Sequence, residues 1–211
     1  MDYPYNRGKP LRYTTMIRDF ELFCKLNFID VSAEAFFHQA MAQLNLYDHT
    51  CPFCQTKHPD WKRHAAYERY LISFENGRTV SYQITIVRYK CSSCGHTHAI
   101  LPESIISYQS YSFLFITSVM RDYFTVSLTI EAICEKYNIS VSTLYFRKKL
   151  FLRHKKIWLG ILNDAYISSA QFLDSLIPKE LLNKLKEFFV TAGVSFLQGA
   201  SQMKKADYAP A

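Results

Sequence analysis

Apolar residues recur every third or fourth position in several stretches of this chain, whereas one central stretch alternates apolar with polar. Over residues 13–26, Met16, Ile17, Phe20, Phe23 and Cys24 carry the helical period. Asp30 or Ser32 can cap a second helix, whose Ala33, Phe36, Phe37, Ala40, Met41 and Leu44 form one stripe. The two helices are expected to pack on each other. Residues 67–74 are rich in strand formers, Glu75-Asn76-Gly77 supplies a turn, and 78–90 alternates. There Val80, Tyr82, Ile84 and Ile86 share one face, and Ser81, Gln83 and Thr85 the other.

Beyond Pro102 the pattern turns helical again. Residues 104–125 predict one helix, through Ile105, Ile106, Phe113, Leu114, Ile116, Met120 and Phe124. A short helix with Ile130, Ile133 and Cys134 then leads to Tyr137-Asn138, where asparagine tolerates a left-handed backbone. Ile139 fills the angle, and Ser140 caps a further helix, a helix-turn-helix pattern. Residues 157–177 form an apolar helical segment. Pro178 opens a last helix striped by Leu181, Leu182, Leu185, Phe188 and Phe189, which either covers the core or pairs with another subunit. Residues 199–211 look like a frayed tail. The expected fold is mainly α with a small β ribbon, an α+β class. Its divisions are 1–48 (N-terminal helices), 49–102 (ribbon), 103–158 (helix-turn-helix with basic extension) and 159–211 (C-terminal helices and tail).

The chemistry lies in two pairs, Cys51-Pro52-Phe53-Cys54 and Cys91-Ser92-Ser93-Cys94, separated by 36 residues that predict a hairpin. A Cys-x-x-Cys turn lets both sulfurs of a pair reach one ion, and a hairpin between the pairs unites the turns. This is the donor set of one structural Zn²⁺. His58, His64, His96 and His98 are the competing ligand type, and a Cys₃His set using His96 or His98 is chemically acceptable. Four cysteines already at good spacing favour Cys51, Cys54, Cys91 and Cys94. Such a closed set leaves no open position for hydrolysis. Cys24 and Cys134 fit small core residues. Paired Cys-x-x-Cys turns suit a reducing cytoplasm, with neither a signal peptide nor a membrane span expected.

Charge is distributed unevenly. Of 211 residues with net charge +7, positions 51–160 hold fifteen Lys and Arg against seven Asp and Glu. The flanks are near neutral, five against six in 1–50 and five against five in 161–211. A basic module is the footprint of a polyanion. On the second helix of the pair, Ser142, Thr143, Tyr145 and Phe146 would face DNA, with Leu144 turned inward. This set lacks the Arg, Asn and Gln that make bidentate base contacts. Arg147, Lys148, Lys149, Arg153, Lys155 and Lys156 follow, six cations in ten positions without an acid, and suit phosphate.

The run from Ile84 through Cys91, Cys94, His96 and His98 to Pro102, with Cys51-Pro52-Phe53-Cys54 and the turn Ile139-Ser140-Val141-Ser142-Thr143-Leu144, carries a resemblance over residues 48–156. It resembles the zinc-ribbon and helix-turn-helix module at the N-terminus of insertion-sequence transposases. It is still more similar to a family of short proteins of unknown function encoded in mobile elements of Gram-positive bacteria. That resemblance implies a cytoplasmic bacterial DNA-binding protein, non-catalytic, partnered by double-stranded DNA and a separate recombinase or assembly protein. Transposases of this type continue into an RNase-H-like domain with three metal-binding carboxylates. Here the 55 residues after the basic run are too few, and Asp164, Asp174, Glu180 and Glu187 fall in helical segments. A transcriptional regulator and a protein-interaction adaptor are the rival expectations.

Overall fold

The computed structural model describes residues 32–102, 105–126, 128–176 and 178–199, and the backbone of 16–19. The described elements are a mixed α and β assembly. A four-stranded sheet is formed by β1 (Met16–Asp19), β2 (Trp61–Glu75), β3 (Arg78–Cys91) and β4 (Thr97–Pro102), in the order β1-β4-β3-β2. The helices are α1 (Ala33–Ala42), α2 (Phe113–Thr125), α3 (Ile130–Tyr137), α4 (Val141–Leu159), α5 (Ile161–Asp164), α6 (Ser169–Asp174) and α7 (Pro178–Ala192).

The long hairpin organises the fold. β2 and β3 pair antiparallel from Trp61↔Cys91 to Glu75↔Arg78, closed by Asn76 and Gly77, both left-handed. That backbone is the two-residue turn whose twist matches the strands. The pairing shifts by one residue between Arg63 and Ala65, so His64 is an extra, bulged residue. As the alternation predicts, Ile84 and Ile86 are buried while Ser81, Gln83 and Thr85 are exposed.

Among the described residues, two large apolar cores flank this rod, beside a small cluster of Phe36 and Ala40. In one, Phe37 of α1 packs with Leu71, Ile84, Ile86, Ala99, Leu101 and Ile105. The other is helical, with Phe113, Phe115, Ile133, Tyr137, Leu144, Phe151, Phe172, Phe188 and Phe196 at its centre. The turn end of the hairpin is planted in this second core. Phe74 stacks obliquely on Tyr137 at 4.4 Å, and the Thr79 hydroxyl donates to the Tyr137 carbonyl at 2.9 Å. Asp122 of α2 accepts from the Tyr137 hydroxyl at 2.9 Å and from Lys136 Nζ at 2.6 Å, tying α3 to α2.

Several expectations change. Residues 16–19, expected within a helix, form a strand parallel to β4; backbone pairing with β4 overrides the local helical period. Cys24 and the rest of that predicted helix lie outside the described residues. The predicted pairing of two N-terminal helices gives way to α1 lying on β2 and β4, its Ser32 cap accepting from Ala35 N–H. β4 itself was masked in the sequence by its brevity and continuous apolar run. The helix expected from 104 begins only at Phe113. Ile72 exchanges backbone hydrogen bonds with Ser110 and Ser112, so the preceding residues form a loop. That loop buries Ile105 in one core and Ile106 in the other, and Ser112 then caps α2. Of the expected tail, Gly199 is buried and 200–211 lies outside the described residues.

The segment before Gly199 is held from both sides. Leu197, left-handed at φ 65°, donates its N–H to His154 Nδ1 at 2.7 Å, and its carbonyl accepts from Gln109 Nε2 at 2.8 Å. Burial, reinforced by nearby Arg153, pushes the His154 pKa down from 6.5 to about 4. Between those values the unfolded chain binds the proton and the folded one does not, so the contribution is intact above pH 6.5 and is lost as pH falls toward 4. The loss amounts to on the order of 2–3 kcal/mol. His154→Asn keeps an acceptor for Leu197 without titrating. In denaturant titrations at pH 7 and pH 4.5, wild type should lose about that much more stability than the variant. Acid release of any bound metal is common to both and cancels in the comparison.

Candidate metal centre and nucleic-acid interface

The two Cys-x-x-Cys segments fold into matching knuckles. Gln55 N–H donates to the Cys51 carbonyl and Gly95 N–H to the Cys91 carbonyl, both at 2.9 Å. Cys51 N–H then donates to Thr56 O at 3.0 Å, and Cys91 N–H to His96 O at 2.9 Å. Each knuckle needs one left-handed residue, Gln55 at φ 60° and Gly95 at φ 77°. Glycine takes that conformation freely, whereas glutamine adopts it at a cost of about 1 kcal/mol.

β3 carries Cys91 to its C-terminal end, and the first knuckle lies beside it. The four sulfurs lie within 4.8 Å of one another, Cys51 to Cys94 at 3.7 Å and Cys54 to Cys91 at 3.8 Å. Sulfurs bound tetrahedrally at about 2.3 Å from one ion stand about 3.8 Å apart, so the cage fits such an ion. Cys51 and Cys91 are buried; Cys54 and Cys94 are partly exposed. Burial pushes the Cys51 thiol up to about 12, while a hydrogen bond from Thr56 brings Cys54 down to about 6. Burial also raises Cys94. Thiols held so close in a buried site become thiolates together only when a cation supplies the compensating charge.

None of the four histidines replaces a cysteine. His98 is buried, its Nε2 3.5 Å from Cys51 Sγ and its ring edge-on to Trp61. It stands against a cage sulfur, the place that outer-layer groups of a metal site take. His96 stacks on exposed Phe53, and His58 on Tyr47. His64 is the exposed bulge residue. Thr56, whose Oγ1 is 3.1 Å from Cys54 Sγ, is a supporting residue not identified from the sequence; its position two residues after the cysteine is the only signal.

At the other end of the hairpin, α3 and α4 meet at Asn138, left-handed at φ 50° and ψ 52°. Ser140 caps α4 by accepting from Thr143 N–H at 3.2 Å. Leu144 is fully buried, and Ile139 packs in the angle between the helices. Cys134 is partly buried against the helical core, as expected of a small packing residue.

The residues expected at DNA divide into two sets. Ser142, Tyr145, Phe146, Lys149, Arg153 and Lys156 are exposed along one stripe of α4, starting from Val141. The others turn away. Lys155 is only 4% exposed, pairing with Asp164 at 2.9 Å and donating to the Ile167 carbonyl, which holds α5 on α4. Arg147 donates to Gln109 Oε1, its guanidinium 5.1 Å from the Tyr111 ring and 5.3 Å from Phe146. Lys148 donates to the Tyr123 hydroxyl and lies over that ring at 4.5 Å. Thr143 is half-buried, its hydroxyl 2.9 Å from Ser140 Oγ. A helix of nineteen residues packed along one side cannot present every cation outward, and a run in sequence does not record which side each takes.

A family model described as a domain of unknown function (DUF6431) matches residues 51–141, from the first of the four clustered cysteines to the first residue of α4. No curated protein and no solved structure matches the chain. Among the described residues no helix is long and apolar enough to cross a membrane.

The cage generates a direct test. Purified protein should take up one equivalent of thiophilic divalent metal per chain, and Co²⁺ should give the intense visible bands of tetrahedral thiolate. Cys91→Ser should abolish those bands and Cys134→Ser should leave them. His98→Phe should weaken metal affinity roughly tenfold or more.

Proposed function

We propose that this chain is a zinc-stabilised protein that binds double-stranded DNA, acting as a non-catalytic accessory or targeting factor of a mobile genetic element. Zinc is the natural occupant of the Cys51, Cys54, Cys91 and Cys94 cage, because four soft thiolates in a tetrahedron match its preference and leave no position for substrate. In this reading β2, β3 and the knuckles are a zinc ribbon, and α3 and α4 are a helix-turn-helix with α4 as its recognition helix.

One observation carries the proposal. Lys149, Arg153 and Lys156 project from the same exposed stripe as the start of α4, and α4 contains no acidic residue. Cations at that spacing beside a groove-sized helix suit the phosphates of a duplex. The apolar corner of Ile161, Leu162 and Tyr166, all at least 80% exposed, is the face we assign to a recombinase or assembly protein. It is also what the adaptor reading would use, and an absence of DNA affinity would favour that alternative. Promoter sites, in place of element ends, would favour a transcriptional regulator.

DNA affinity should fall with salt on a log–log slope of about −3 to −4, the value for three or four neutralised phosphates. Reversing Lys149, Arg153 and Lys156 together to Glu should abolish binding with metal content unchanged, whereas Lys155→Glu should destabilise the fold. A slope near zero, or unaltered binding by the triple variant, would overturn the assignment.

A further inference from the structure

The exposed surface at the start of α4 is largely apolar, with Ser142 as its polar member. Val141, Tyr145 and Phe146 are 46%, 48% and 48% exposed, on the stripe that continues through Lys149, Arg153 and Lys156. Groups that could read bases through paired hydrogen bonds are missing from this first stretch of the helix. Residues 141–146 contain no Arg, Asn or Gln, and Ser142 and Thr143 lie with their hydroxyl oxygens 2.9 Å from Ser140 Oγ. Arg147, the first guanidinium on the helix, is turned toward Gln109, Tyr111 and Phe146.

We infer that α4 selects duplex DNA by contact with thymine 5-methyl groups in the major groove, with Val141, Tyr145 and Phe146 as the reading surface. The inference rests on the DNA-binding reading above and adds what is read. Among unmodified bases only thymine presents an apolar group in the major groove, and apolar side chains are its partners. The cations continuing the same stripe make a polyanion the occupant of this face, since an apolar partner helix would leave Lys149, Arg153 and Lys156 without counter-charge. Phosphate contacts set the helix in place, and the methyl contacts discriminate.

The test uses duplexes recovered with the full chain from a random pool, resynthesised with deoxyuridine for thymidine. Wild type should lose about fourfold in affinity per methyl removed, the worth of one buried methyl group. A GC-only duplex carrying 5-methylcytosine should bind more tightly than its unmethylated form, which separates the methyl from adenine–thymine shape. In Tyr145→Ser/Phe146→Ser the thymine-to-uracil ratio should fall toward one while the salt slope persists. Val141→Ser gives an independent arm, and metal content reports folding in each. Equal affinity for thymine and uracil duplexes overturns the inference and leaves DNA binding standing, as does a ratio unchanged in the serine variants. No salt-dependent binding of any duplex removes the DNA-binding reading itself.

Discussion

The antiparallel pairing of β2 with β3 is the constraint on which the rest of the architecture depends. One end of the hairpin delivers Cys91 to the first knuckle, and the other inserts Phe74 and Thr79 against Tyr137. Fourteen residue steps of strand extend about 45 Å at 3.3 Å each, so the thiol cage and the α3–α4 pair stand at opposite ends of one rod. Neither end is an appendage. Ile72 and Phe74 pack on the helical core while Leu71 belongs to the sheet core, so adjacent residues of one strand serve both.

Much of this is legible in the sequence, for identifiable physical reasons. The Asn76-Gly77 turn, the period-two alternation after it and the left-handed Asn138 are set by local chemistry, and they stand where the residues predict. The four cysteines converge as their spacing implies. What escapes sequence reading is decided by long-range partners. Residues 16–19 become a strand because β4 is adjacent, and residues 105–112 lose their helix because Ile72 takes the backbone of Ser110 and Ser112. A helical period describes a stripe, and the same stripe can be buried by a loop.

The basic run on α4 shows a related limit. Six cations within ten positions suggest a uniform polyanion face, yet Lys155 is neutralised by Asp164, and Lys148 and Arg147 lie on aromatic rings. Their polar ends are met by partners nine to thirty-eight residues away in sequence. Only the positions spaced along the outer stripe remain to meet a ligand. Charge counted along a chain therefore overstates the charge available at a surface.

The bulge at His64 bears on how the hairpin reaches a single pairing. A strand slipped by one residue would send every side chain to the opposite face, and with it Cys91 away from Cys51, Cys54 and Cys94. Many shifted hairpins could satisfy their backbone hydrogen bonds equally well along so long a ladder. The in-register one alone closes the thiol cage at one end and seats Phe74 at the other. The four sulfurs thus mark the correct register at one end of the ladder, as Phe74 does at the other. A misaligned hairpin cannot bring the four sulfurs together, and a metal bound there would withdraw the correct register from exchange with the rest.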